Sequence, residues 1–481
     1  MEMRLLLSLL LAGLVSTVAA LSAQGSKLLV VLEDESEKSR YSQFWTDLED
    51  RGFQLTYRTP KDPQLSLFRH GEPAYSHLLL LPPGKGTKGL GPNLTPNLLV
   101  DFISAGSNVL MALSGEQSIP SAVSSLLLEF DISLPPDRNS MVVDHFNYDS
   151  SSAKESHDVL LLPGKNAGGS KKGVADILSV DGILALPHAV GAVLGNASPL
   201  LNSIIKAPAT AYTYNPKEEQ EGVEDVFATG DQLSLVTAFQ ARNSARFTLL
   251  GSVEALQDAW FDTTVQHSAP GSKSEQAANR AFAQKLTGWT FKELGVVKAG
   301  PVTHFLNEGS QQNTSDLTTL SDINPSIYRI NTEVHYTIEL STWSVDHWVP
   351  FTPPASDAVQ LEFSMLSPFH RLNLAPTTTP ANPNASLFTA TFTLPDQHGI
   401  FNFFVEYRRP YLTNIEEKRT VTVRHFAHDE YPRSFVIMAA YPWITGIWTT
   451  VAGFVGFCAL WLYSRPEKER VELKVKEAGG R

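Results

Sequence analysis

Residues 443–463, reading WITGIWTTVAGFVGFCALWLY, carry no charge and are too apolar for a loop. As a helix rising about 1.5 Å per residue, they would reach roughly 30 Å, the hydrocarbon thickness of a bilayer. Tyr441 and Trp443 stand at one end and Trp461 and Tyr463 at the other, where amphipathic rings favour the headgroup level. A buried core helix would need a soluble domain around it, and only a short charged tail, residues 464–481, follows. That tail places Arg465, Lys468 and Arg470 beside the span, so the positive-inside rule puts it in the cytosol. Small residues recur four apart along the helix, including Gly446 with Thr450 and Ala452 with Gly456, and Gly453 follows Thr449 at the same spacing. Such a face lets a second helix approach closely, although Gly and Thr are also common in membrane helices generally.

The N-terminus fixes the orientation. Residues 1–20 combine one arginine, an apolar core from Leu5 to about Leu14 and then small residues. Val18 and Ala20 suit the minus-three and minus-one positions of a signal-peptidase site, with Ala23 as an alternative. A cleaved signal and one later span make a type I single-pass protein. About four hundred residues then lie outside the cytosol, room for two or three domains.

The one cysteine, Cys458, lies inside the span. The external region therefore holds together by packing alone, and neither a cysteine nucleophile nor a thiolate metal site can exist there. A net charge of -12 argues against nucleic acid as a partner. Glycosylation sequons start at Asn93, Asn196, Asn313 and Asn384, all in the external region.

Along the chain, Lys27–Leu32 is a continuous apolar run, as expected of a strand buried on both faces. Helical spacing over 39–51, a strand over 53–57, another over 77–81, a helix over 95–104 and a strand over 108–113 follow. This alternation predicts a parallel sheet with helices on both faces. The pattern resumes with strands at 158–162, 235–239 and 246–250 and a long helix over 274–294, closing a first α/β domain, 24–297. From Pro301 the period changes to two, in stretches such as Val334–Leu340, Val359–Phe363, Leu387–Phe392 and Phe401–Tyr407. Strands with frequent turns and no helices between them predict an antiparallel β-sandwich, 298–424, joined to the span by a connector, 425–442.

Neither glycine-rich loop, Pro82–Pro92 or Pro163–Gly173, has the spacing of a P-loop, and the first strand ends in Glu33-Asp34 with no GxGxxG. Ser114, in LSGEQ, lacks the first glycine of a nucleophile elbow. The loop Asp144-His145-Phe146-Asn147-Tyr148-Asp149 could bind a sugar by hydrogen bonds and ring stacking or hold a divalent ion. It could equally be an interdomain loop built on Asx turns. His425, His428, Asp429 and Glu430 are metal-compatible but lack a third ligand at a recognisable spacing, and polar residues facing headgroups explain them as well. No catalytic residue, metal site or cofactor is assigned.

QARNSAR (Gln240–Arg246), Gly251-Ser252, Ala269-Pro270-Gly271-Ser272 and Trp289-x-Phe291-Lys292-Glu293-x-Gly295-Val296 occur in that order. The loop 144–149 lies upstream, and WVPF (348–351), VQLEF (359–363) and LPDQHGIF (394–401) lie downstream. In the order and spread of these motifs the chain resembles the 48-kDa-type, wheat-germ-agglutinin-binding subunit family of the endoplasmic reticulum oligosaccharyltransferase. The resemblance implies a flavodoxin-like first domain and a non-catalytic subunit, the chemistry residing in a separate multi-spanning chain with a WWDYG motif that is missing here. That complex transfers a preassembled glycan from dolichyl diphosphate to Asn in Asn-X-Ser/Thr. The implied partners are the other subunits, the catalytic one included, the lipid bilayer and, as a ligand, the dolichol-linked oligosaccharide. Asp144, His145, Asn147, Asp149, Arg242 and Asn243 are the candidate contacts to glycan or to a neighbouring subunit. Family members often end in a dilysine retrieval signal, whereas Lys474 and Lys476 lie too far from Arg481, leaving retention to assembly with partners. A lumenal carbohydrate-binding receptor acting alone is the alternative.

Overall fold

The computed structural model describes residues 21–82, 90–91, 93–168, 177–195, 198–216, 226–269, 271–307, 323–377, 382–427 and 440–463. The expected signal peptide, most of the loop 82–92, part of the loop 163–173, the sequons at Asn196 and Asn313, the His428–Glu430 cluster and the tail lie outside these residues. The described residues up to Arg424 belong to one compact unit and the later ones to a second.

The first apolar run forms β1 (Lys27–Val31). Its alternate residues enter two different cores, Leu28 and Val30 on one face and Leu29 and Val31 on the other, which is why the run shows no polar alternation. On the first face α1 (Ser42–Asp50) buries Phe44, Trp45 and Leu48. On the second face α2 (Pro96–Ser104) buries Leu99, Phe102 and Ile103. Thr95 caps α2, its side chain accepting from the Leu98 amide, and Pro96 occupies the first turn where no amide is needed. α3 (Ser121–Glu129) adds Val123, Leu126 and Leu127 to the second core.

β1 pairs in parallel with β2 (Gln54–Arg58) and β3 (His77–Leu80), and β3 with β4 (Asn108–Ala112). The chain then adds β5 (Ile132–Ser133), β6 (Met141–Val143), β7 (Val159–Pro163), β8 (Ile183–Pro187), β9 (Ala192–Leu194), β10 (Leu201–Lys206), β11 (Tyr212–Tyr214), β12 (Leu233–Gln240) and β13 (Arg246–Leu250). Among the described residues the main sheet has nine strands, in the order β2-β1-β3-β4-β13-β12-β9-β5, with β10 also on β12.

The sheet is mixed, which corrects the parallel expectation. β13 is parallel to β4, but β12 is antiparallel to β13, and β9 and β10 are antiparallel to β12. The residues 241–245 between β12 and β13 are too few for a crossover, which needs a dozen or more, so a hairpin was the available connection. The strand expected at 158–162 exists as β7 but leaves the main sheet to pair with β8. The helix expected from 274 begins later: β14 (Thr264–Gln266) takes β15 (Ser274–Gln276) as its partner, and α4 runs from Asn279 to Thr290. Phe282, Leu286 and Trp289 of α4 complete the first core.

Two five-stranded sheets follow. One holds β16 (Val297–Leu306), β18 (Glu333–Ser344), β19 (His347–Pro350), β22 (Ala375–Thr377) and β23 (Ser386–Thr393), all antiparallel. The other orders β17 (Ile327–Arg329), β25 (Ile415–Arg424), β24 (Gly399–Tyr407), β20 (Gln360–Ser364) and β21 (Pro368–Asn373), with β17 parallel to β25 at its edge. Rings from both sheets meet: Phe403 of β24 lies 5.5 Å from Tyr336 of β18 and 4.9 Å from His304 of β16, centroid to centroid.

The second unit contains α5 (Tyr441–Leu462), with 22 residues and none buried. Thr445, Thr449 and Thr450 turn their hydroxyls onto the carbonyls of Tyr441, Thr445 and Gly446, so the helix satisfies these groups internally, as a bilayer requires.

Candidate functional site

In an open α/β sheet the carboxyl ends of the parallel strands collect functional groups, because loops there converge on a rigid edge. Beyond β4 come Ser114 and Glu116, beyond β13 comes Glu254, and beyond β8 comes His188. Backbone bonds tie the loops together: Gly115 donates to the His188 carbonyl at 2.9 Å, Val253 to Leu113 at 2.8 Å, and His188 to Asp158 at 3.0 Å. The Ser114 hydroxyl donates to Glu254 Oε1. His188 Nε2 lies 3.5 Å from Glu116 Oε1 and 3.4 Å from Asp158 Oδ2. The hydrogen bond to Asp158 raises the His188 pKa, and burial pushes the Glu254 carboxyl up to about 7.

The loop 144–149 stands on the same side of the domain, after β6. Asp144 is 0% exposed, and its carboxylate accepts from the Phe146 amide at 2.8 Å, from Asn147 Nδ2 at 2.9 Å and from the Thr210 hydroxyl at 2.8 Å. Asp149 is equally buried and accepts from the amides of Ser151, Ser152 and Gln266. Both carboxylates are consumed inside the protein, so they shape the loop and leave the surface to its other members. His145 is exposed, with Nδ1 2.6 Å from His157 Nδ1 and Nε2 2.9 Å from the Tyr212 hydroxyl. Asn147 Oδ1 lies 3.2 Å from His267 Nε2, and the Phe146 ring is 66% exposed. Beside Asn147 opens a cavity of about 550 Å³ whose wall includes Lys165, Asn166, Ser203, Lys206 and Asp231. Leu161, Leu162, Ile204 and Ile205 also line it, so the cavity offers polar and apolar groups together.

Arg242 and Asn243 are elsewhere, on the β12–β13 hairpin at the opposite end of the parallel strands. Asn243 Nδ2 donates to the carbonyls of Ile103 and Ser104, closing the C-terminus of α2, while Arg242 is exposed. The rest of QARNSAR joins the mixed sheet to the antiparallel strands. Arg246, buried at 0% exposure, donates to the carbonyls of Trp289, Leu294 and Gly295 at 2.5, 2.7 and 2.7 Å. Burial lowers its pKa to about 9. Gln240 Nε2 donates to the Leu412 carbonyl at 2.7 Å, Trp289 Nε1 to the Tyr411 carbonyl at 2.9 Å, and the Asn414 amide to Ser244 Oγ at 2.9 Å. Gly295 has φ +67°, and the Tyr411 carbonyl oxygen would sit 2.3 Å from any Cβ there, so only glycine fits.

Of the two described sequons, Asn384 is exposed, whereas Asn93 is part-buried and donates from Nδ2 to the Asp62 carbonyl at 3.2 Å. Gly446, Thr450, Gly453 and Gly456 all lie on α5, and a shallow groove of about 400 Å³ runs past Trp443, Gly446 and Thr450. The His188 cluster escaped the sequence reading because its members lie far apart in the chain. Their shared position, just past the end of an apolar strand, was the one available signal.

Among the described residues a mixed α/β body continued by antiparallel sheets is followed by one apolar helix long enough to cross a membrane, a combination that fits the class of single-pass membrane proteins. The residues match two family descriptions, "OST48, N-terminal domain" over 19–293 and "OST48 middle domain" over 310–465, and the chain belongs to the OST48 family. It is 33% identical to the dolichyl-diphosphooligosaccharide–protein glycosyltransferase subunit wbp1 of Schizosaccharomyces pombe, covering 95% of this chain and 97% of that one. It is 32% identical to the 48 kDa subunit of the same enzyme from Danio rerio, over 92% of this chain and 93% of that one. The Caenorhabditis elegans 48 kDa subunit is 31% identical over 94% of each. The resemblance drawn from QARNSAR and its neighbours is thereby borne out.

Proposed function

We propose that the chain is a non-catalytic subunit of the dolichyl-diphosphooligosaccharide–protein glycosyltransferase. In this reading α5 anchors it in the endoplasmic reticulum membrane and the rest of the described chain is lumenal. The observation that carries the reading is the near end-to-end match to proteins named as subunits of that enzyme. Ser114 supports the non-catalytic part. It is 1% exposed and its hydroxyl is spent on Glu254, so it cannot meet a substrate.

The boundaries expected from sequence fit this role: a signal at 1–20, α/β and β domains meeting near 297, a connector over 425–442, a span over 443–463 and a cytosolic tail. The parallel strands run β2-β1-β3-β4-β13, an order that supports a flavodoxin-like description of the first domain. Ring contacts between the two five-stranded sheets support a β-sandwich. His145, Phe146 and Asn147, beside the cavity at Lys165 and Lys206, are the surface we assign to glycan or a neighbouring subunit. Asn384 is the better placed glycan acceptor of the two described sequons, and Gly446, Thr450, Gly453 and Gly456 form the face for a partner helix.

Purification from membranes in mild detergent tests the reading. The chain should elute with a multi-spanning glycosyltransferase, and glycan transfer to an Asn-X-Ser/Thr peptide should require that partner. Elution as a free monomer, or transfer by the purified chain alone, would overturn it. A glycan array separates the alternative, because a receptor acting alone should bind sugars without partners.

A further inference from the structure

Two loops that leave the main sheet after β4 and β13, and one that leaves the β7–β8 pair, bring Glu116, His188 and Glu254 together. One ligating atom from each lies within 4.8 Å of the other two. Glu254 is 9% exposed, and while Oε1 accepts from Ser114, Oε2 is buried with no hydrogen-bond partner among the described residues. A buried carboxylate oxygen without a donor is costly, and a cation is the kind of group that would satisfy it. The spacing has the right scale. Bonds of about 2.0–2.1 Å at a tetrahedral centre place neighbouring ligand atoms roughly 3.4 Å apart. His188 Nε2 stands 3.5 Å from Glu116 Oε1. The backbone is committed as well, since His188 has φ 44°, an uncommon value for a non-glycine residue, and the surrounding backbone bonds hold it there.

We propose that Glu116, His188 and Glu254 bind a divalent transition-metal ion of the zinc type, which pins the loops following β4, β8 and β13. One imidazole and two carboxylates suit zinc and leave a coordination position for water. Ser114, donating to Glu254 Oε1, is the group that orients a ligand. The ion would brace the strand edge that carries β6 and the loop 144–149. This site is independent of whether that loop touches glycan.

The full-length chain in detergent, stripped with a chelator, is titrated with zinc chloride alone against a chromophoric competitor. The expected result is one equivalent bound, with affinity at least tenfold weaker in Glu254→Gln and His188→Asn. Ser114→Ala should weaken it by roughly tenfold, the usual effect of losing an orienting group. Glu116→Gln changes a side chain that is 60% exposed, so it tests the ligand set without endangering the fold. It should also weaken binding, and zinc should raise the melting temperature of the wild type but not of this variant. Wild-type affinity in Glu116→Gln and His188→Asn would overturn the proposal. So would loss of the bound equivalent in His145→Ala, which would move the ion to the exposed His145–His157 pair.

Discussion

The loop 144–149 and the hairpin 240–246 read alike in the sequence, each a polar cluster set between apolar strands. Their fates are opposite. In the hairpin every side chain with a long reach except Arg242 bonds to backbone: Gln240 to Leu412, Asn243 to the end of α2, Arg246 to the three carbonyls near Gly295. In the loop only the aspartates turn inward, while His145, Phe146 and Asn147 stay at the surface or its edge. A polar motif therefore divides by where its acceptors lie. When they are carbonyls at helix ends and at turns between sheets, the motif is a joint, and when the motif satisfies itself, its remaining members face outward.

The hairpin should give the largest loss on mutation. Arg246→Leu removes a charged donor from three carbonyls, of which those of Trp289 and Gly295 keep the Lys292 and Thr413 amides, and at about 1.5–3 kcal/mol for each hydrogen bond to a charged group the loss should be about 3 kcal/mol or more. Denaturant unfolding of the full chain measures it. A midpoint equal to the wild type would mean that the joint is held by other contacts. Asp144→Ala should cost less, about 2–3 kcal/mol, because its carboxylate organises only one loop. The loss should appear as proteolytic cleavage near 144–157, with Asp144→Asn recovering part of it. Cleavage elsewhere first would separate Asp144 from the loop.

A pH dependence probes the same joint from the other side. His77 is 0% exposed, between Ser22, Gly25 and Asn108, and Asn108 accepts the Arg246 amide. Burial depresses its pKa to about 3 from 6.5. Above 6.5 the imidazole is neutral in both folded and unfolded chains and the stability is complete. Below 6.5 the unfolded chain takes up the proton first, so stability falls with pH until about 3. Going from pH 7.5 to 5.5 should remove about 1.4 kcal/mol through this group, and His77→Gln should flatten that slope. An unchanged slope in the variant would assign the pH dependence to other residues.

The two classes of sheet were legible because burial on both faces leaves unbroken apolar runs such as Lys27–Val31, and burial on one face leaves alternation such as Glu333–Ser344. Strand direction was not, since Leu233–Gln240 is buried along its whole length, as β3 and β4 are, and only the short hairpin after it gives its antiparallel pairing away. The start of α4 was misjudged because Ser274–Gln276 pairs with Thr264–Gln266, a non-local preference that local spacing does not carry. In the loop, the sequence reading took Asp144 and Asp149 as contacts along with His145 and Asn147, whereas both aspartates are buried. Their burial depends on Thr210 and Gln266, which are distant in the chain. Glu116, His188 and Glu254 could not be paired before the loops were closed in space.

The smallest expected effect on stability is the sharpest test of the outward face. Phe146 uses its amide to reach Asp144 and its carbonyl to accept from Ser268, both of which survive truncation of the side chain. Its ring is 66% exposed and contributes little to a core, so Phe146→Ala should change stability by less than about 0.5 kcal/mol. A ring kept at the surface next to His145 and Asn147 matters only if something packs on it. Glycan transfer by the purified complex, or the yield of that complex, should therefore fall in Phe146→Ala while the melting temperature holds. If transfer and yield are both unchanged, the loop 144–149 is no more a contact surface than the hairpin, and the contrast between them reduces to two ways of building a turn.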